Sequence, residues 1–183
     1  MLLTGFFSLL RLGELTVPDS PDKRSSKKIC QRLSLQVLPS RYSFLLPYHK
    51  ADRFYEGNTV LIDTIPDNAL DPLAPFRAYL DSRDHLFPLL PGLWLTAAGE
   101  TPTYSWFVQR LQSVVGPQFA GHSLRSGGAT DLAISGVSDD SIQVLGRWSS
   151  EVWCIYIRKH PALLHALVHG NSPFASGSVQ QSS

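Results

Sequence analysis

The sequence predicts an α+β fold, mostly helical, with a small antiparallel three-stranded sheet. Three observations predict it. Apolar residues recur at helical spacing over several segments of ten or more residues. Three short runs of strand character are confined to residues 33–62. No segment repeats with a period of about 20–50 residues, which argues against a solenoid. An apolar content of 43% and a charged content of 17% in 183 residues describe a globular chain long enough for one real core.

Residues 2–15 read as a helix that is apolar nearly all round, and therefore buried. The apolar stretch 2–10 is too short to span a bilayer. It also lacks a positive leading segment and a small-residue cleavage site, so it reads as core helix and not as a signal peptide or membrane anchor. Residues 18–28 are polar and proline-punctuated, hence a loop. Strands are expected at 33–38, 42–46 and 59–62, with a turn in the stretch 47–58 that ends at Gly57-Asn58. Residues 71–84 form the next helix, with Pro72 near its start and Phe76, Tyr79 and Leu80 on one face. The segment 86–99 is irregular, with a short strand at 93–96. A helix over 103–115 is stopped by Gly116-Pro117. Another covers 123–135, followed by a turn at 136–138. Ser138 caps a further helix carrying Asp139 and Asp140 in its first turn and ending at Gly146. Two last helices, 151–159 and 162–169, are separated by Pro161. Residues 171–183 are Ser-rich without a charged side chain, and read as a disordered tail.

A net charge of +1 is weak for a nucleic-acid binder. The charge is uneven, however. Lys23, Arg24, Lys27, Lys28 and Arg32 form a basic run with no acid inside it. A solvated loop and a phosphate-tracking loop explain it equally well. Cys30 and Cys154 cannot make a disulfide framework or a zinc site, and read as reduced intracellular thiols. His165 and His169 have the i, i+4 spacing of metal ligands, but no third ligand is apparent, so neither metal nor cofactor is expected.

Four positions stand out chemically. Arg11 is the only charge between Met1 and Gly13, in a helix expected to be buried, so it needs an anion. Glu14 at i+3 is one partner and a phosphate is the other. His122 and Arg125 lie three apart at a helix N-terminus and share a face, where a guanidinium, an imidazole and the helix end make an anion site. A capped helix with a core-edge histidine is the plainer alternative. Gly127 and Gly128, poor helix formers, would let another backbone approach closely. Tyr156 precedes Arg158 and Lys159 on a short helix and by default is packing, as are Trp148 and Trp153. Lys50 belongs to the turn between two strands and matters only if that hairpin leans over a site.

The order of these signals carries more than any one of them. "LRLGEL" in an apolar helix, "LPYHKADRFYEG" in a hairpin, "HSLRSGGAT" and "LGRWSSEVWCIYIR" resemble the tyrosine recombinase (phage integrase) family, and most of all the recombinase-like proteins of fungal genomes and their mobile elements. The resemblance spans roughly residues 2–158. It implies DNA breakage and rejoining by site-specific recombination or integration through a 3′-phosphotyrosyl intermediate. Arg11 would be the first catalytic arginine, Lys50 the hairpin lysine, His122 and Arg125 the central pair, and Tyr156 the nucleophile. Nine residues before Tyr156 the family has a His or Trp, where this sequence has Arg147 followed by Trp148. Either can fill that sixth role. The implied partners are double-stranded DNA and further copies during synapsis, with no membrane and no metal; the implied location is the nucleus. Residues 1–170 would be the catalytic domain, lacking its first helix and the N-terminal DNA-clamp domain. Weak DNA binding and doubtful activity are then expected of the isolated chain. A non-catalytic DNA-binding module or a degenerate mobile-element remnant is the alternative.

Overall fold

The computed structural model describes residues 1–47, 58–65, 70–149 and 154. The chain divides into two compact units, Met1–Gly128 and Ala129–Ser183. Among the described residues the elements are six α-helices and one three-stranded sheet, the α+β architecture expected. No helix among them is long and apolar enough to cross a membrane.

In the first unit, β1 (Gln36–Leu38), β2 (Arg41–Leu46) and β3 (Asn58–Asp63) form an antiparallel sheet in the order β1-β2-β3. Alternation along β2 sets its faces: Tyr42, Phe44 and Leu46 are buried, whereas Arg41 and Leu45 are exposed. Tyr42 pairs with Ile62 and Phe44 with Val60, so β3 adds to the same inner face. Helix α3 (Leu73–Leu86) covers it with Leu73, Phe76 and Leu80. The Tyr42 and Phe76 rings stack at 3.8 Å between centroids, and Trp94 packs edge-on against Phe44. The Tyr42 hydroxyl, buried among these, shares a 2.9 Å hydrogen bond with Thr4.

Two expected strands come out differently. Only 36–38 of the first is strand, because Arg32–Ser34 forms a 3₁₀ turn. Residues 93–96 are not a strand: the Tyr79 hydroxyl of α3 donates to the Leu93 carbonyl at 2.8 Å and accepts the Leu95 N–H at 2.7 Å, while Arg83 holds the preceding turn by donating to the carbonyls of Phe87, Leu90 and Gly92. Among the described residues, pairing here stops at a single bridge between Gln31 and Gly92. Arg32 also grips α3. Its Nε and Nη2 both reach the Asp84 carboxylate, the closest contact being 2.7 Å.

The expected helix over 2–15 is two helices, α1 (Leu2–Phe7) and α2 (Leu12–Leu15). The break has a defined geometry. Leu10 N–H bonds the Gly5 carbonyl at 3.0 Å, Leu9 N–H bonds the Phe6 carbonyl at 3.3 Å, and Leu9 has φ +50°. This is a Schellman cap with leucine where glycine is usual. Helix α4 (Tyr104–Val115) starts as expected at Thr103, whose hydroxyl accepts from Trp106 N–H. Phe107 and Leu111 of α4 join Leu12 and Leu124 in a second core cluster. Helix α5 (Ser123–Ile134) meets α1 at Gly128, where a Cβ would stand 2.3 Å from the Phe6 carbonyl oxygen.

In the second unit, α6 (Asp139–Gly146) is capped by Ser138, whose hydroxyl accepts from Ser141 N–H. It ends in another Schellman pair, Arg147 N–H to Val144 and Trp148 N–H to Gln143. Arg147 takes the left-handed position, φ +54°. The Trp148 ring lies over Gly146 so closely that a Cβ there would fall 1.7 Å from a ring carbon. The helices expected at 151–159 and 162–169, His165 and His169, and the tail 171–183 lie outside the described residues, apart from helical Cys154.

Two predictions follow from this packing. Gly128→Ala gains helix propensity of about 1 kcal/mol but forces a methyl into a carbonyl that cannot swing away. A net loss of about 1–3 kcal/mol is expected, read as a lower urea midpoint. Gly127→Ala, facing the movable edge of the Phe6 ring at 3.3 Å, should be tolerated. Equal stability of the two variants would refute the close approach. The second concerns acid. Hydrogen bonds from Arg32, and then from Arg83, hold the Asp84 carboxyl below the usual carboxylate range. A carboxylate with a depressed folded pKa contributes stability above its unfolded value of about 3.9, and loses it as pH falls from there through the folded value. Asp84→Asn should therefore flatten the acid limb of the stability–pH curve without altering its slope above about pH 6. An unchanged acid limb would mean that the pair is inconsequential.

Candidate functional site

Arg125 lies in the first turn of α5 and is only 6% exposed. A buried guanidinium needs acceptors. One is the Leu9 carbonyl, 2.8 Å from Nη1. Leu9 is itself fully buried, and as the left-handed residue of the α1 cap its carbonyl points away from the helix. Arg125 thus reaches the turn that immediately precedes Arg11. Two residues of chain span at most about 7 Å, so the Arg125 fork lies near the backbone of Arg11.

Arg11 departs from expectation. It stands outside the buried helix, at the break between α1 and α2, and its side chain is 44% exposed. It therefore does not face the burial penalty that the continuous-helix reading implied. Glu14 is its partner, as the plainer alternative held. The Glu14 carboxylate accepts the Arg11 backbone N–H at 2.7 Å and the guanidinium at 3.3 Å. The backbone contact is half of a capping box, since arginine has no acceptor to return. Glu14 therefore fixes the start of α2 and the position of the Arg11 head, and its own side chain is 8% exposed.

His122 is exposed and lies one turn before Arg125, immediately ahead of α5. Its carbonyl accepts from Ser126 N–H at 3.0 Å and from the Ser126 hydroxyl at 3.1 Å, so its backbone belongs to the helix start while the ring faces solvent. Gly121 beside it admits the Tyr104 hydroxyl, which would lie 2.4 Å from a Cβ at that position. Arg11 at the α1–α2 break and His122 before α5 are exposed, and Arg125 in the first turn of α5 is buried against that break. Such a set suits an oxyanion.

The basic run separates into two kinds of residue. Arg32 is committed to Asp84, and Arg24 donates from Nε to the Pro18 carbonyl and from Nη2 to that of Asp19, both at 2.9 Å. Lys23, Lys27 and Lys28 are exposed. Cys30 is no nucleophile: burial pushes its thiol up to about 12, and it donates to the Glu14 carbonyl at 3.5 Å. In the second unit, Arg147 and Trp148 are both half-buried, and Arg147 donates to the Leu145 carbonyl at 3.3 Å. Lys50 and Tyr156 lie outside the described residues. The residue that sequence reasoning missed is Leu9, since nothing in its side chain advertises a left-handed backbone.

No family profile matches the sequence, and no curated protein matches it. Solved structures match in fold. The XerH site-specific recombinase bound to palindromic difH substrate, in a post-cleavage complex, aligns with a TM-score of 0.60 at 16% identity, over 91% of this chain and 44% of that one. The same recombinase in a pre-cleavage complex with difH substrate aligns with a TM-score of 0.51 at 17% identity, over 95% of this chain and 48% of that one. This chain spans less than half the length of those recombinase chains. Its fold resembles the catalytic domain of a tyrosine site-specific recombinase.

Proposed function

We propose that the chain is the catalytic part of an enzyme that breaks and rejoins double-stranded DNA through a covalent phosphotyrosine. The observation that supports this reading is the Arg125–Leu9 contact, which brings the Arg125 fork to the turn preceding Arg11 in a recombinase-like fold.

The chemistry accounts for the residue types. Attack on a phosphodiester concentrates negative charge on the non-bridging oxygens. Arg11 and Arg125 would clamp those oxygens with forks that stay protonated at any working pH. The Tyr156 oxygen forms a bond to phosphorus while the bond from phosphorus to the 5′ oxygen breaks. The phenolic proton leaves to a base, with His122 the group suited to proton transfer near neutral pH. Lys50 returns a proton to the departing 5′ oxygen. Rejoining is the same sequence reversed, and the phosphotyrosyl bond conserves the energy, so no nucleotide cofactor is consumed. Arg147 or Trp148 would add a further contact to the phosphate. A DNA-binding module that reads bases with α6 is disfavoured, because exposed Asp139 and Asp140 occupy the turn that would meet phosphate.

Nicked duplexes with randomised sequence test the reading, because loss of a short 5′-hydroxyl fragment traps any covalent adduct. The parent chain should form a gel-shifted, protease-sensitive adduct, and Tyr156→Phe should form none. Arg11→Ala should slow trapping by about 10²–10³, the usual cost of one preorganised donor. Equal trapping by Tyr156→Phe would falsify the nucleophile assignment.

A further inference from the structure

A second polar feature lies beside this site, in the same unit. Gly13, Thr16, Asp19, Lys23, Lys28 and Tyr104 line a surface cleft of about 520 Å³. Its frame is fixed by hydrogen bonds. Val17 N–H bonds the Pro102 carbonyl at 2.9 Å, and Tyr104 N–H returns to the Val17 carbonyl at 3.0 Å. The Asp19 carboxylate accepts Ser105 N–H at 3.1 Å and the Ser105 hydroxyl at 2.9 Å, so its charge sits at the N-terminus of α4. Arg24 braces the loop from outside through the Pro18 and Asp19 carbonyls. The Thr16 hydroxyl turns inward to the Leu12 carbonyl.

Lys23 and Lys28 line the cleft against the single Asp19 carboxylate, so its charged lining is positive on balance. Tyr104 is 43% exposed on one wall, and its hydroxyl touches Gly121, the neighbour of His122. Gly13, on the other side, is two residues from Arg11. The cleft therefore leads from two ammonium groups to the candidate phosphate site along one surface.

We propose that this cleft seats a backbone phosphate of bound duplex DNA, next along the strand to the one held by Arg11, His122 and Arg125. Lys23 and Lys28 supply the positive charge and the Tyr104 hydroxyl a neutral donor. The inference rests on the DNA reading above, and it narrows the basic run. Arg24 and Arg32 build the frame; the lysines meet the ligand.

The test is the salt dependence of duplex affinity at low ionic strength, using fluorescently labelled duplex of random sequence and the full chain. Each neutralised phosphate contributes about 0.9 to the slope of log K against log salt. Lys23→Gln/Lys28→Gln should reduce the slope by about 0.9, with the melting temperature unchanged. Should that double variant fold poorly, Lys23→Gln alone and Tyr104→Phe serve, each expected to weaken binding several-fold at low salt. Inorganic phosphate at millimolar concentration should compete no better than its ionic strength predicts. An unchanged slope and unchanged affinity in folded lysine variants overturns the proposal, as does specific competition by phosphate alone. Tyr156→Phe separates the two readings, since it should retain the parent slope. If no chain ever traps an adduct yet the lysine variants lose slope, the cleavage reading fails and the cleft stands. If adducts form and the slope is unmoved, the cleft fails alone.

Discussion

The hydrogen bond from Arg125 to the Leu9 carbonyl is the contact on which the candidate site depends. Leu9 occupies a left-handed conformation that costs an L-residue about 1–2 kcal/mol. A hydrogen bond from a charged donor contributes about 1.5–3 kcal/mol, enough to offset that strain. Each partner also solves a problem for the other. The cap leaves a buried carbonyl needing a donor, and the buried guanidinium needs an acceptor. The close crossing at Gly128 makes the bond possible, because it lets α5 approach α1 until the side chain three residues earlier reaches the break. Arg11 is then presented to solvent by a turn that is held, not loose.

Much of the fold could be read from the sequence because local rules govern it. Alternation gave the faces of β2. Thr103 and Ser138 marked helix starts by side-chain acceptors, and Gly116 marked a helix end. The close approach at Gly128 was legible because only a missing side chain permits it. What escaped was decided by tertiary contact. No glycine or proline marks the break between α1 and α2, so 2–15 read as one helix and Arg11 as buried. The same error inflated its need for an anion. Residues 93–96 carry strand-forming types, but the Tyr79 hydroxyl takes the Leu93 carbonyl and the Leu95 N–H that a strand would use. Nor could a linear reading divide the basic run, since the partner of Arg32 lies 52 residues away at Asp84.

Among the described residues, the two left-handed non-glycine residues invite comparison. Leu9 and Arg147 each end a helix with the same pair of backbone hydrogen bonds, while Gly136 does so after α5 without strain. Glycine was therefore an available solution in this chain. At Leu9 the side chain is fully buried, and its packing explains the choice. At Arg147 the side chain is only half-buried, so packing explains less. Strain kept at a position with little packing benefit points to a use for the side chain itself. Under the proposed cleavage reading, that consideration would favour Arg147 over Trp148 for the sixth role. The Trp148 ring is already occupied in covering Gly146.

A near-neutral chain can still bind DNA if its charge is committed unevenly. The net value of +1 averages over residues with different duties. Arg24, Arg32 and Arg83 hold backbone carbonyls or Asp84, and Asp19 caps a helix. Arg32 and Arg83 meet the Asp84 carboxylate, which cancels part of the field they project. Counterion release depends on the cations that meet phosphate, not on the sum over the chain. The division is also one of residue type. In this fold arginines take the positions where a planar fork must satisfy several fixed acceptors, while lysines hold the solvent side of the loop. Arg125 belongs to the first class, since it is buried and its fork reaches the Leu9 carbonyl. Lysine there could match the charge but not the geometry, because a single ammonium lacks the planar fork with which Arg125 braces the turn.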